Sequence, residues 1–477
     1  MTDTRALLAH TADLAAGYLE SLQRRPVGGP VDLAGLRAGL AGPVPETGAD
    51  PLETMRWLAS AADPGLTGSA GPRYFGFVVG GSLPAPLAAD WLASSWDQNA
   101  AMYVLSPAAA VAEEVAASWL VELLRLPPET SVGFVTGATM ANFTALASAR
   151  HAVLSAVGWD VERRGLQGAP PVTVITHEGT HVTIYASLQM LGLGREGERV
   201  LRVAADDQGR MRPDALREAL AAIDGPVIVC AQAGNVNTGA FDPFDELIPI
   251  AHERHAWVHI DGAFGIWAAA VPSLHDRMRG HATADSWSTD AHKWLNVPYD
   301  SGLVFVRDKA AHHAAMTLGA AYYVETAGGE RDPYNWVPES SRRARGFTVL
   351  AALRSLGRAG LVDMIERDCG LARRMAGRLA AGRRVRILNE VVLNQALVRF
   401  DGPANDPDGA LGDARTRAVI EAVQRDGTCW LGGTLWNGRA AMRVSVSGWQ
   451  TTEADVDVSA AAILRCLDEV DGTGRGT

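Results

Sequence analysis

Lysine is almost missing from this chain. Of 43 basic residues only two are lysines, Lys293 and Lys309; the rest are arginines. Arginine serves as a surface charge but keeps its proton, with a pKa above about 12, so it cannot act as a neutral amine. A lysine retained against that bias points to amine chemistry. Lys309, in Val-Arg-Asp-Lys-Ala after an apolar run, reads as an ordinary surface residue. Cysteine is sparse too: Cys230, Cys369, Cys429 and Cys466 are scattered without metal-ligand spacing. A reduced, cytoplasmic setting and no metal are therefore expected. No apolar run approaches the roughly 18 residues of a membrane span. Residues 1–22 carry Asp3, Arg5, Asp13 and Glu20 among apolar positions, an amphipathic helix pattern and not a signal peptide. Positive charge is in deficit, with a net charge of −11. That excludes a nucleic-acid backbone binder and a basic membrane patch. Internal repeats and low-complexity stretches are absent.

The 477 residues exceed one compact core. Residues 1–78 read as short helices broken by Pro/Gly joints, an N-terminal helical segment that needs something to pack on. Residues 79–350 alternate short apolar strands (132–135, 172–176, 227–231, 257–260, 302–306) with amphipathic helices (106–126, 140–157, 181–191, 213–223, 244–255). This pattern predicts an α/β domain with a buried, mostly parallel sheet and helices on both faces. Residues 351–477 read as a small C-terminal α+β domain.

In such sheets ligands sit at the carboxyl ends of the strands. After 132–135 comes Thr136-Gly137-Ala138-Thr139-Met140-Ala141-Asn142, small and hydroxyl residues opening a helix. Such a turn exposes backbone N–H groups that suit a phosphate, or makes an ordinary helix cap. It is not a Walker loop. After 172–176 comes His177-Glu178-Gly179-Thr180-His181, formally the H-E-x-x-H zinc-peptidase pattern. That chemistry needs both histidines on one helical face, whereas Gly179 and Thr180 are poor helix-interior residues. Asp261-Gly262-Ala263 follows 257–260; an aspartate with small neighbours can approach a flat ring closely, or cap a turn. Residues 285–295 place Lys293 beside His292 among apolar and aromatic residues. Burial there prepares a lysine for Schiff-base chemistry.

Ser-Thr-Asp-Ala-His292-Lys293-Trp-Leu resembles the cofactor-lysine signature of the pyridoxal phosphate-dependent group II amino acid decarboxylases, the family of the aromatic amino acid, histidine and glutamate enzymes. Supporting matches occur in the family's order: Ser106-Pro107 with Glu113 and Trp119-Leu120, the Thr136-to-Asn142 turn, His181, Asn235 to Pro243, His-Ile-Asp261-Gly-Ala263, and Ser341-Arg342-Arg343-Ala-Arg345. The resemblance implies a fold type I lyase of amino acid metabolism, a homodimer with active sites at the subunit interface. It implies that Lys293 links to pyridoxal 5'-phosphate as a Schiff base, and that Asp261 pairs with the pyridine nitrogen. It further implies that His181 stacks on the ring, and that Ala138, Thr139 and His292, with Asn235, hold the phosphate beside Ala263. The expected reaction is decarboxylation of an L-amino acid, with aromatic side chains favoured by Tyr74, Phe75 and Phe77, in a segment that lines the family's pocket.

Two departures stand out. The family's catalytic tyrosine precedes the Arg-Arg-x-Arg run, but here Asp332-Pro333-Tyr334-Asn335-Trp336 puts Pro333 in its register and Tyr334 one place later. Tyr322 and Tyr323 are substitutes to consider. A displaced proton donor opens a route to oxidative deamination, giving an aldehyde. Ser301 also replaces a cysteine often found after the lysine. The alternatives carried forward are the aldehyde synthase, an aminotransferase using Arg443 as carboxylate clamp, a zinc peptidase on His177 and His181, and a cofactor binder without turnover.

Overall fold

Short apolar runs separated by amphipathic helices build the expected sheet. The structure, a computed structural model, describes residues 3–317 and 330–473. Seven strands form the main sheet: β1 (Ser131–Val135), β2 (Thr173–His177), β3 (Val200–Val203), β4 (Val227–Gln232), β5 (Trp257–Asp261), β6 (Ser286–Asp290) and β7 (Gly302–Val306). Their order is β1-β7-β6-β5-β4-β2-β3. Neighbours from β6 to β3 run parallel, and β7 runs antiparallel to both β1 and β6. Every residue of β4, β5, β6 and β7 is buried, so both faces are covered. The covering helices fall where the periodicity places them: Pro107–Leu123, Ala138–Ser155, Val182–Met190, Pro213–Ala221 and Phe244–His252.

Two strands, β3 and β6, are absent from the sequence expectation. β6 reads Ser-Trp-Ser-Thr-Asp, without the apolar run that marks its neighbours. It is a strand because it pairs on both sides, with Ser286 opposite His259 and Val306. Its alternate side chains Ser286 and Ser288 lie across from His259 and Asp261 of β5. Period-two geometry thus gathers four polar side chains on one buried face.

The described residues group into two compact units, one drawn from 80–373 with 388–397 and the other from 3–79, 374–387 and 398–473. The three-part division expected from the sequence meets a two-unit grouping, because the N-terminal segment packs on C-terminal residues. The Val27 amide donates to the Gly427 carbonyl and the Phe75 amide to Trp430. Arg25 pairs with Asp63 at 3.0 Å. The Tyr74 and Phe77 rings both stack on Trp430, at 5.1 and 5.4 Å, while Phe75 is buried. A second sheet has four strands, β8 (Val385–Ile387), β9 (Gln395–Phe400), β10 (Gly432–Trp436) and β11 (Arg439–Ser445), in the order β10-β11-β9-β8.

The Ser341–Arg345 run proves to be an anchor in the larger unit. Arg342 is buried and donates to Glu113 Oε1 at 2.6 Å, to the Phe134 carbonyl and to the Ala100 carbonyl. Arg343 pairs with Asp90, and Arg345 with Asp300. Arg342→Met would strand a buried Glu113 carboxylate, so the unfolding free energy in urea should fall by about 3–5 kcal/mol. Arg343→Met, at a more exposed pair, should cost less than about 1 kcal/mol in the same measurement.

Candidate active site

The carboxyl ends of β1, β5 and β6 and the amino end of β7, Gly302, meet around the start of helix Ala138–Ser155. There is no room for side chains at that junction. A Cβ on Gly302 would lie 2.4 Å from the Gly137 Cα, and one on Gly137 would lie 3.2 Å from both Asp290 Oδ1 and His292 Cε1. Asp290, the last residue of β6, organises the space. Its Oδ1 accepts from the Ala138 amide at 2.5 Å and faces His292 Nε2 at 3.3 Å. Its Oδ2 meets Lys293 Nζ at 3.0 Å. The expected apolar surroundings of Lys293 are thus replaced by an ion pair, and the side chain keeps about 20% exposure. The amine, three residues beyond the strand end, folds back onto the strand's own carboxylate. His292 Nδ1 accepts from the Ser301 amide at 3.0 Å, which leaves the ring proton on Nε2, facing Asp290. Burial lowers the His292 pKa below the usual histidine range. The exposed Tyr299 ring stacks on His292 at 4.2 Å.

At the other end of the same helix face, Asp261 closes β5. Its Oδ1 accepts from the Ala263 amide at 3.1 Å, and its Oδ2 from Asn142 Nδ2 at 3.3 Å. The Ala263 carbonyl accepts from the Asp290 amide, tying the ends of β5 and β6 together. Thr139 is exposed in the first turn of the helix, where its carbonyl accepts from Ser187 Oγ. His181 caps helix Val182–Met190, with Nδ1 2.8 Å from Thr183 Oγ1.

Other expected residues are held by their own loops. Asn235 is buried; its amide nitrogen donates to Gly179 and Gln232, and its oxygen accepts from the Asn237 and Thr238 amides. His177 ends β2, and its Nδ1 accepts from the Gly179 amide. His177 and His181 therefore share no helical face, which removes the geometric basis of the zinc-peptidase pattern. Tyr334 is buried in the turn Pro333–Trp336, with its amide on the Ala101 carbonyl. Tyr322 and Tyr323 lie outside the described residues. Arg443 lies on β11, in the other unit. Sequence reading missed Asp290 and His259; the signal available was the Ser-x-Ser-x-Asp alternation before His292-Lys293.

His259 is fully buried on β5, and burial pushes its imidazole down to about 4. Between there and the ordinary histidine value of about 6.5 the unfolded chain binds more protons than the folded one. His259 therefore contributes stability that is fully present above about pH 6.5 and is lost as pH falls toward 4. Urea unfolding of His259→Gln between pH 7 and 4.5 should show a shallower loss of stability than the parent chain.

Residues 44–401 match the pyridoxal-dependent decarboxylase conserved domain. Tryptophan decarboxylase 1 of Oryza sativa subsp. japonica is 28% identical over 93% of this chain and 90% of its own length. Phenylacetaldehyde synthase of Arabidopsis thaliana is 26% identical over 93% of this chain and 91% of its own. The crystal structure of Oryza sativa TDC with PLP and tryptamine superposes with a TM-score of 0.91, covering 98% of each chain at 24% identity, so the fold is that of a fold type I enzyme. The donor set suits pyridoxal phosphate: one amine, a carboxylate at a strand end, and backbone amides at a helix start where glycines leave the approach open. With the domain match spanning three-quarters of its length, this chain belongs to the pyridoxal-dependent decarboxylase family.

Proposed function

We propose that the chain converts an aromatic L-amino acid to its amine and CO₂, as a cytoplasmic homodimer with active sites at the subunit interface. Pyridoxal phosphate, when bound, supplies an aldehyde that captures amines and a ring that takes up the electron pair left when the C–C bond to the carboxylate breaks. The chain's own residues do the rest. Lys293 offers the amine that joins the aldehyde, and it can carry protons. The Ala138 and Thr139 amides and His292 Nε2 would hold the phosphate, with the Ala138 amide and His292 exchanging Asp290 Oδ1 for it, and Asn235 is a further candidate for that group. Asp261 suits the ring nitrogen, where an ionised carboxylate holds a proton. His181 and Ala263 suit the two sides of the ring, and the His181 imidazole can orient the substrate carboxylate. The observation that carries this reading is the convergence of Lys293 and His292 on Asp290 at the helix start.

The dimer reading is supported by the first three helices, Thr4–Ser21, Leu33–Leu40 and Pro51–Ala62, none of which has a buried residue and which expose Leu8, Leu33 and Trp57. The cytoplasmic reading is supported by four buried free cysteines. No described helix is long and apolar enough to cross a membrane.

One feature favours an aldehyde product as a second reading. Tyr334, proposed as proton donor to the carbon, is buried next to Pro333 in the chain, and its backbone amide donates to the Ala101 carbonyl. A purified sample incubated with tryptophan, tyrosine, phenylalanine and dopa should release CO₂. CO₂ with amine supports the decarboxylase; CO₂ with ammonia and peroxide supports the aldehyde synthase. Borohydride reduction followed by tryptic mapping should place the cofactor on Lys293, and a colourless, unlabelled protein refutes the reading. Tyr334→Phe should lower amine formation by roughly 10²-fold if Tyr334 protonates the carbon. An unchanged rate and product ratio exclude it.

A further inference from the structure

Two side chains proposed to face the pyridine ring, Asp261 and His181, are linked through a single buried amide, which the sequence placed only at the end of the small-residue turn. Asn142 is fully buried in the second turn of helix Ala138–Ser155. Its Nδ2 donates to Asp261 Oδ2 at 3.3 Å and to Thr183 Oγ1 at 3.3 Å. Thr183 Oγ1 in turn lies 2.8 Å from His181 Nδ1. Opposite a carboxylate the amide must present its nitrogen, since two oxygens would repel. Its Oδ1 then faces His259 Nε2 at 3.0 Å and Ser288 Oγ at 2.5 Å and accepts from both. All four hydrogen-bonding positions of the amide are therefore filled.

His259 can play this part in only one form. Burial keeps the ring neutral, so it carries a single N–H. Asn142 Oδ1 is a pure acceptor, which puts that hydrogen on Nε2 and leaves Nδ1 to accept from Ser286 Oγ at 3.0 Å. Ser286 Oγ accepts in turn from Trp257 Nε1 at 2.9 Å. Donation thus runs one way, from Trp257 through Ser286 and His259 to Asn142, and from there onto Asp261. A reversed tautomer would leave two acceptors facing each other in a buried site.

We propose that Asn142 and His259 are positioning residues, which aim the Asp261 carboxylate at the ring nitrogen of pyridoxal phosphate and register it with His181. The proposal rests on the cofactor roles given above, and it can fail without them.

The test measures pyridoxal phosphate affinity by quenching of tryptophan fluorescence in cofactor-free protein, for the parent chain, Asn142→Leu, His259→Phe, His259→Gln and Ser288→Ala. Asn142→Leu and His259→Phe should weaken binding about tenfold or more, as expected for lost hydrogen bonds to a charged group. His259→Gln, which keeps an N–H donor, should recover most of that affinity. The decisive comparison uses the cofactor analogue whose ring nitrogen is replaced by carbon. With no nitrogen for Asp261 to meet, the parent and the variants should bind the analogue alike. An equal penalty for both cofactors, or none for either, overturns the proposal, as does a His259→Gln no better than His259→Phe. If the larger replacements do not fold, Ser288→Ala removes one donor to the amide and must show a smaller loss with the same analogue dependence. Failure of the parent chain itself to bind pyridoxal phosphate refutes the function reading instead.

Discussion

The close approach of helix Ala138–Ser155 to the ends of β6 and β7 is the constraint on which the rest of the site depends. The Gly137–Gly302 contact leaves no space for a single added carbon. Backbone proximity at that point lets the Asp290 carboxylate reach the Ala138 amide. It also brings the second turn of the helix over β5 and β6, where Asn142 meets Asp261, His259 and Ser288. With the proposed roles, one helix would serve both ends of a bound cofactor, through N–H groups at its start and an amide side chain one turn on. A helix displaced by an ångström would lose both, because hydrogen bonds weaken steeply outside a narrow range of distance and angle.

The site lies on an unusually polar piece of buried sheet. β5 and β6 bring Trp257, His259 and Asp261 beside Ser286, Ser288 and Asp290, all in the protein interior. An unpaired buried donor or acceptor costs about 1–3 kcal/mol, so such a face is tolerable only when its groups satisfy one another. They do so in a directed chain, which also fixes the protonation of His259. The hydrogen bonds that make the polar strand tolerable end on the Asp261 carboxylate, through Asn142 Nδ2.

Much of the fold was legible in the sequence. Apolar runs marked β1, β2, β4, β5 and β7, and helical periodicity marked the helices between them. Scarcity of lysine, together with the residues around it, singled out Lys293. That His177 and His181 share no helical face followed from Gly179 and Thr180, although His177 itself ends β2. β6 was not legible, because strand signals are apolar or β-branched and its stability comes from neighbours distant in sequence. Asn142 looked like part of a phosphate turn, and only the helix's second turn pointing into the sheet shows what its amide does. The partnership of residues 1–79 with residues beyond 397 was equally hidden, since it rests on contacts such as Phe75 with Trp430.

Sequence by itself determined most element types, the family, and the chemical groups available: one amine among aromatic neighbours, a strand-end aspartate and a small-residue turn. These are local properties, set by side-chain period and residue chemistry within a few positions. Tertiary structure alone decided which carboxylate meets that amine, which nitrogen of His259 carries the proton and which way the Asn142 amide faces. Each of those outcomes depends on atoms brought within about 3 Å from segments some thirty to more than a hundred residues apart, or folded back across a strand end, and hydrogen-bond geometry is settled only at that range.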